Sequence, residues 1–239
     1  MTHIHTPHAL RRAVGAGLLA AGAAAAVPAL AADDVPKTEL RVGLYHVHFD
    51  THANDLSGPF TPPGINIHVD DVNTPYLAVV QRLDTHWHLE LAGGIPPRTR
   101  TYGRGPAAVG SVPFDGQEVA TAKWFSPTVL VDYKFLDDAS PWRPFVGAGI
   151  NFTRFYDRVS TPAGDAVNGG PTRVRLTSSW GPAATAGVSY QITPRWSAVA
   201  SLSMARVTSH YTSDTSGVVR QTTIHFNPQA LVVAMGYAF

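Results

Sequence analysis

The sequence contains no cysteine, and this absence removes several kinds of site at once. Disulfide frameworks, thiolate metal sites and cysteine nucleophiles are all unavailable to the chain. The charges are nearly balanced, with 18 basic and 17 acidic residues, so the strongly basic composition typical of a nucleic-acid-binding protein is missing. Strand pairing, burial of apolar side chains or the surrounding solvent must therefore stabilise the fold.

Long apolar runs are scarce beyond the N-terminal region. Arg11 and Arg12 precede a small apolar run over 13–26, and Ala29-Leu30-Ala31 supplies the small-x-small pattern that signal peptidases accept. We predict a cleaved secretory signal peptide over 1–31 and a single domain over 32–239. After residue 31 no apolar run approaches the roughly 18 residues that a membrane helix requires. A chain of this kind could span a membrane only as a closed β-barrel.

The C-terminal segment QALVVAMGYAF alternates with a period of two residues. Its large apolar residues fall on one face of an extended chain, and alanine, glycine and valine fall on the other. A soluble sandwich would place polar residues on that second face, whereas small side chains suit the interior of a narrow barrel. The segment therefore predicts a transmembrane β-strand.

The same alternation recurs over 129–135, 143–157 and 196–205. Connections rich in Gly, Pro, Asp and Asn separate such segments, and short connections alternate with long ones, as in outer-membrane barrels. Pro127, Pro182 and Pro228 predict bulges or strand ends, because proline cannot donate to a strand ladder. The sequence thus predicts an all-β, eight-stranded antiparallel transmembrane barrel with strands over about 40–50, 74–83, 86–96, 120–135, 143–157, 174–190, 196–212 and 218–239.

Three stretches carry a family resemblance. RPFVGAGIN over 143–151, Ser179-Trp180-Gly181 and the terminal GYAF together resemble the outer membrane protein W (OmpW) family. The similarity extends over essentially the whole chain after the signal peptide. Ala238 departs from the basic residue expected at that position, while the terminal aromatic residue is kept.

The resemblance implies an integral β-barrel of the Gram-negative outer membrane with a narrow, largely apolar lumen. Such a lumen would admit small hydrophobic or amphipathic molecules and release them sideways into the membrane. The implied partners are outer-membrane lipid, small apolar solutes, and the periplasmic chaperones and barrel-assembly machinery that act during biogenesis. Tyr237 and Phe239 would form the signal that this machinery recognises.

Strand alternation also identifies candidates for the lumen lining. On the first strand we expect Tyr45, Val47 and Phe49 to face lipid, which would turn the residues between them inward. Ala92 and Ser203 stand where bulkier residues constrict relatives, so a wider or differently gated lumen is expected unless loops or other side chains, such as Leu44, Leu130 and Phe145, close it. The lumen candidates are Leu44, His46, His48, Ala92, Leu130, Asp132, Lys134, Phe145, Asn151, Ser201 and Ser203.

Three histidines crowd the segment GLYHVHFDTH over 43–52. His46 and His48 could bind a metal ion, but a structural zinc site needs about four ligands and a catalytic one about three. No acidic residue completes such a set at a matching spacing, and we predict no cofactor. Polar lining of the lumen or its mouth is the favoured interpretation, with a pH-sensitive gate as the alternative. Further histidines are expected at the outer mouth, namely His52, His68, His210 and His225, and two at the periplasmic end, His86 and His88.

Other functions find little support in the sequence. No Gly-x-Ser-x-Gly or Walker-type motif occurs, so we predict no enzyme. A barrel enzyme could use Ser209, His210 and Asp214, but neighbouring strand residues point to opposite faces. We interpret Asp132 and Lys134 as an ion pair that supports the wall. The remaining alternative is a non-transporting barrel that acts as a receptor, adhesin or structural protein through its outer loops.

Overall fold

The computed structural model describes residues 37–239, so the predicted signal peptide lies outside the described residues. In this part of the chain no helix is long and apolar enough to cross a membrane. The elements are β1 (Thr38–Phe49), β2 (His52–Ala53), β3 (Asn66–Val69), β4 (Val72–Arg82), β5 (Trp87–Gly94), β6 (Arg98–Arg104), β7 (Ala108–Val109), β8 (Val112–Pro113), β9 (Glu118–Phe125), β10 (Thr128–Lys134), β11 (Trp142–Ser160), α1 (Pro162–Asn168), β12 (Thr172–Leu176), β13 (Ser179–Gln191), β14 (Trp196–Ala205), β15 (Thr208–Thr215), β16 (Val218–His225) and β17 (Pro228–Ala238).

Eight of these strands form a closed antiparallel barrel. Around the wall the order is β1, β4, β5, β10, β11, β13, β14 and β17, and β17 pairs with β1. The first and last strands share a long register, from Glu39 opposite Ala238 to Phe49 opposite Pro228. The predicted eight-stranded antiparallel barrel is confirmed, and its closure leaves no free edge in this wall.

Short turns join the wall strands at one end of the barrel. They follow β4, β10 and β13, as predicted, and Thr38 and Phe239 lie at the same end, where their backbones pair. Short turns mark the periplasmic side of outer-membrane barrels, so this end is the periplasmic one. At the other end Ser216 and Gly217, both with positive φ, form the short connection predicted near Asp214.

An outer tier of strands stands above the wall. There β9 pairs with β6 on one side and with the upper part of β11 on the other, while β12, β15, β16 and β2 form a four-stranded sheet. Pro127 and Pro228 mark strand ends where the chain passes between wall and tier, as predicted. Pro182 instead lies inside β13, next to Ala183, where the ladder with β14 ends.

Side chains of the wall alternate between lipid and interior. On β10, Val129 and Val131 are 46% and 42% exposed, whereas Leu130 between them is 3% exposed. On β14, Leu202 is 64% exposed, and its neighbour Ser201 is buried. Large apolar side chains therefore meet hydrocarbon, and smaller or polar ones face inward, as in transmembrane barrels generally.

Candidate functional site: an apolar chamber above a charged floor

An apolar chamber lies inside the barrel. It encloses about 900 Å³ of free space, including its open part. A lining that is mostly apolar with a few polar groups is typical of sites for small molecules. The aromatic lining residues are Tyr45, Phe49, Tyr76, Trp124, Phe155 and Phe226; Val47, Val69, Ala92, Leu130, Val207 and Val232 are among the aliphatic ones, and Ser126, Thr128, Asn151, Thr153 and Ser203 among the polar ones.

An aromatic group connects the chamber to a second cavity in the outer tier. The two cavities, of which the second has about 370 Å³ of free space, share Phe155 and Phe226 in their linings. The rings of these two residues stack with centroids 5.1 Å apart. Phe49 meets Phe226 and Trp124 edge-on, at 6.2 and 6.0 Å. The stacked rings of Phe155 and Phe226 therefore lie between the two cavities.

Glycine makes room for the chamber and thins its wall. A Cβ atom on Gly94 would lie 2.6 Å from the ring of Tyr45 and 2.5 Å from the carbonyl oxygen of Pro75, so no larger residue fits without movement. Gly93 points toward lipid, with no atom within 4 Å of a Cβ built there. Because Gly93 also lines the chamber, the wall beside it is only one backbone thick.

A cluster of buried charges forms the floor of the chamber. Arg41, which is 1% exposed, donates from Nη1 to Glu90 Oε2 at 2.6 Å and from Nε to Glu39 Oε1 at 3.3 Å. The hydroxyl of Tyr76 donates to Glu90 Oε1 at 2.7 Å, and Ser197 Oγ donates to Glu39 Oε1 at 2.6 Å. Each carboxylate thus has a second partner besides the guanidinium, as buried charges require. We call Glu39, Arg41, Tyr76, Glu90 and Ser197 the charged floor.

Asp132 and Lys134 lie on the inner face of β10, close to the charged floor. Both are buried, at 1% and 7% exposure. Among the described residues, neither carboxylate oxygen of Asp132 meets a hydrogen-bond donor, so the expected ion pair with Lys134 is not formed. A Cβ atom on Gly147 would overlap the Asp132 carboxylate, so glycine there accommodates this side chain.

Further ion pairs close the periplasmic end. Arg143 Nη1 lies 2.6 Å from Asp138 Oδ1, and Arg82 Nη2 lies 2.5 Å from Asp138 Oδ2. Arg143 also donates to the carbonyl oxygen of Thr85. Partial burial alone would raise the pKa of Asp138, but the hydrogen bond and charge of Arg82, with the charge of Arg143, hold it below its usual value. Below the charged floor, the interior thus ends in a second charged layer.

Most of the lumen candidates lie on the inner face of the wall. Ala92, Leu130, Asn151 and Ser203 line the chamber itself. Whether these residues contact a solute in transit stays a prediction, as does the wider lumen expected from Ala92 and Ser203. The candidates that face inward elsewhere in the barrel are Asp132, Lys134, Phe145 and Ser201, all of them buried.

The expected orientation of β1 is wrong. Leu44, His46 and His48 point outward, and Leu44 is 66% exposed. Val47 and Phe49, expected to face lipid, are 2% and 6% exposed. The strand has apolar side chains on both faces, so its hydrophobic pattern alone does not determine which face is internal. Burial of Arg41, which shares the face of Val47 and Phe49, determines it instead.

His46 and His48 consequently lie outside the lumen. His48 Nδ1 is 3.0 Å and His46 Nε2 is 3.6 Å from Asp71 Oδ2, on the outer surface of β1 and β4. Neither lumen lining nor a lumen gate by these two residues fits this arrangement. Within residues 37–239, no group of three or more His, Cys, Asp or Glu side chains is placed to hold a metal ion. The histidines expected at the outer mouth also have exterior positions on the outer tier, namely His52, His68, His210 and His225.

The residues of the alternative enzyme site do not converge. Ser209 is fully buried and donates to the carbonyl oxygen of Thr177 at 2.8 Å. His210 points to the opposite face, where it bonds Thr223. Asp214 accepts from the backbone of Gly217. The three side chains therefore serve separate local contacts.

Sequence reasoning missed the charged floor. Glu39 and Arg41 precede the histidine-rich segment 43–52, and Glu90 lies in HLEL, where it interrupts an apolar strand. A charged residue in a strand that crosses hydrocarbon must face the interior, so period-two alternation from Arg41 could have found the floor. No pattern in a single sequence indicates that Arg41 pairs with Glu90, which lies 49 positions away.

The predicted assembly signal lies at the periplasmic rim. Tyr237 packs against Trp196 with ring centroids 4.9 Å apart, and Phe239 is 61% exposed. Its recognition by assembly machinery stays a prediction.

Comparison with known proteins gives one consistent family. The model of the OmpW family matches residues 38–239. The outer membrane protein W of Vibrio cholerae is 33% identical over 122 residues, which are 51% of this chain and 55% of that protein. The dibenzothiophene metabolism operon protein PahQ of Pseudomonas aeruginosa is 29% identical over 126 residues, 53% of this chain and 56% of that one. The matches thus span about half the length of these curated relatives.

Solved structures agree on the fold. The crystal structure of the outer membrane protein OprG from Pseudomonas aeruginosa superimposes with a TM-score of 0.76 at 20% identity, covering 86% of this chain and 96% of that one. This likeness concerns the barrel alone. Together, the closed eight-stranded wall and the family match over its whole length show that the chain belongs to the OmpW family and is an integral β-barrel of the Gram-negative outer membrane.

Proposed function

We propose that this protein is a passive channel for small hydrophobic or amphipathic molecules, which reach the chamber from outside and leave sideways into the membrane. The observation that carries the proposal is an apolar chamber that ends on a charged floor. The name of the relative PahQ connects that protein with the metabolism of dibenzothiophene, an apolar aromatic compound. A similar class of solute suits the chamber of this chain.

The charged floor directs an apolar solute away from the periplasm. Passage downward would require the solute to separate Arg41 from Glu90 and leave both charges buried without a partner, which costs several kcal/mol. Moving into the hydrocarbon of the membrane, by contrast, leaves the ion pair intact and avoids transfer of the solute into water, which costs about 0.8 kcal/mol per CH₂ group. Sideways release is therefore the easier route.

The wall has a seam at the height of the chamber. Pairing between β5 and β10 stops at Ala92 opposite Thr128, and pairing between β6 and β9 starts at Arg98 opposite Lys123. Across the described residues between these pairs, the one backbone hydrogen bond that joins the two sides is long, 3.4 Å from Trp124 N to the carbonyl oxygen of Pro97. We call residues 93–97 and 124–127 the wall seam. Gly93 and Ser126 line the chamber, so the seam borders it directly.

An uptake assay with two matched substitutions tests the proposal. Cells that lack the protein would be complemented with wild type, Ala92→Trp or Leu91→Trp, and uptake of a radiolabelled apolar aromatic solute would be measured. Ala92 lines the chamber, whereas Leu91 is 52% exposed to lipid. We expect Ala92→Trp to reduce uptake at least fivefold because the indole fills the chamber, and Leu91→Trp to leave uptake near wild type.

A further variant tests the route of release. Gly93→Phe places a ring over the wall seam from the lipid side without filling the chamber, and it should slow uptake while solute binding persists. Equal uptake by wild type, Ala92→Trp and the deletion strain would refute the channel. That result would instead favour the non-transporting alternative.

A further inference from the structure

Basic residues gather on the outward face of one side of the outer tier. Arg98 on β6 pairs with Lys123 on β9, and their side chains are 38% and 40% exposed. Arg154 on β11 lies opposite Phe125 of β9 and points outward between two buried neighbours. Arg158, four residues further along β11, is also exposed and donates from Nη1 to the carbonyl oxygen of Leu176 at 3.0 Å. We call Arg98, Lys123, Arg154 and Arg158 the basic band.

Asp157 holds part of the basic band together. Its carboxylate contacts the Arg98 guanidinium and lies 3.4 Å from Lys123 Nζ. A bulge between Tyr156 and Val159, with a φ of 48° at Asp157, turns this side chain toward the two cations. Among the described residues no carboxylate lies within ion-pair distance of Arg154 or Arg158. The band therefore keeps an excess of positive charge.

The lipid-facing wall leads directly into the basic band. Phe125, opposite Arg154, is 45% exposed. Phe152, two residues before Arg154, packs against Trp180, which is 73% exposed, with ring centroids 4.5 Å apart. Exposed aromatic residues mark the boundary between hydrocarbon and headgroups in transmembrane barrels. The cations thus lie at the level where the headgroups of the outer leaflet begin.

On the opposite side of the barrel, at β1 and β4, the outward residues above the wall are histidine, asparagine and aspartate rather than arginine or lysine. There His46, His48, Asn73 and Asp71 occupy the outward positions above the apolar wall. An aspartate and two histidines give no comparable positive charge. The positive charge beside β6, β9 and β11 therefore has no equivalent on the side of β1 and β4.

We propose that the basic band binds the phosphate groups of the phosphorylated glycolipid that forms the outer leaflet of this membrane. Guanidinium groups form paired, charge-assisted hydrogen bonds with phosphate oxygens. The aromatic residues below, Phe125, Phe152 and Trp180, contact the acyl chains of the same lipid. One glycolipid is thereby held against β6, β9 and β11, beside the wall seam. This site lies on the outside of the barrel and does not depend on the proposed channel.

Binding of diphosphoryl lipid A to purified, folded full-length protein in detergent, with EDTA present, tests the proposal. The variant Arg98→Gln/Arg154→Gln removes two cations from the band, and Lys37→Gln/Arg195→Gln removes two exposed cations at the periplasmic end as a matched control. We expect at least tenfold weaker binding for the first and unchanged binding for the second. The proposal is overturned if both variants bind lipid A as tightly as the wild type, or if both lose the same amount of affinity.

A second variant, which should bind lipid A more tightly, shows whether weak binding by the double variant reflects only a folding defect. Asp157→Asn keeps a residue that tolerates positive φ but removes the carboxylate that competes with phosphate for Arg98 and Lys123. It should bind lipid A severalfold more tightly, with folding checked by gel mobility of unheated samples. Unchanged or weaker binding by this variant contradicts the proposal even if the double variant fails to fold.

The chemistry of the ligand is tested in parallel. Lipid A stripped of both phosphates should bind at least tenfold more weakly, and binding should weaken as salt is raised. Inorganic phosphate at millimolar concentration should not displace lipid A. Equal binding of the stripped lipid, or full displacement by free phosphate, would rule out a lipid-phosphate site.

Discussion

Replacement of Arg41 by alanine should destabilise the barrel far more than any exposed charge change. Arg41 is 1% exposed and contacts Glu90 at 2.6 Å and Glu39 at 3.3 Å. Removing one partner of a buried ion pair costs about 3–5 kcal/mol, because the remaining charge is left without compensation. Here each carboxylate keeps one hydroxyl partner, from Tyr76 or Ser197, so we expect a loss near the lower limit, about 3 kcal/mol.

A double-mutant cycle identifies the cause of that loss. Glu90→Gln in the Arg41→Ala background removes one stranded charge and should restore about 1–2 kcal/mol relative to the sum of the single changes. The measurement is urea unfolding of the protein in phospholipid vesicles, followed by tryptophan fluorescence. Arg195→Ala, at an exposed turn, serves as the control and should change stability by less than about 0.5 kcal/mol.

Two outcomes would refute the reasoning. A loss below about 1 kcal/mol for Arg41→Ala would mean that water solvates Glu39 and Glu90 and that the floor is not a closed layer. Strict additivity of Arg41→Ala and Glu90→Gln would mean that the two side chains do not interact energetically, whatever their distance. Either result would also weaken the argument for sideways release.

Three further substitutions test other parts of the structure. Gly94→Ala places a methyl group against Tyr45 and should cost about 1–3 kcal/mol in the same urea titration, whereas unchanged stability would show that the ring moves freely. Phe226→Ala removes a buried ring between the two cavities and should cost about 3–5 kcal/mol while speeding solute uptake; slower uptake would contradict the idea that this ring separates the outer tier from the chamber. Because the folded pKa of Asp138 lies below its unfolded value, its contribution to stability is present above the unfolded pKa and is lost as pH falls through the folded one. Asp138→Asn should therefore lose less stability than wild type between pH 7 and pH 3, and an equal loss would exclude the ion pair with Arg82 as a source of stability.

The barrel could be predicted from the sequence because the alternation of apolar with small or polar residues is visible within each single strand. In β10, β11, β14 and β17 one face is apolar and the other is small or polar. The sequence of each of these strands therefore indicates which face points into the barrel. In β1 both faces are apolar, for different reasons. Leu40, Val42 and Leu44 meet lipid, while Tyr45, Val47 and Phe49 build the chamber and the core of the outer tier. Hydrophobicity alone cannot separate these two environments.

The candidate site was less accessible to prediction. Inward positions such as Leu130 and Asn151 follow from alternation, but the charged floor depends on contacts between residues far apart in the chain, such as Arg41 and Glu90. The wall seam depends on where two ladders stop, which is set by the register of strands that pair only in the closed barrel. Of the outer tier, β2, β3 and β6 lay within segments interpreted as long connections, because strands as short as β3, with four residues, show too little alternation.

Closure of the wall by β1 and β17 has a consequence for how the protein is made. Glu39 and Ala238 are neighbours in the barrel although they lie at opposite ends of the folded chain. The sheet cannot be sealed until the last strand has been synthesised and exported, and until then its edges can pair with other chains. Contacts this distant in sequence also form slowly. We therefore expect a chain truncated before residue 228 to aggregate in the periplasm, because β1 and β14 would both lack their partner strand.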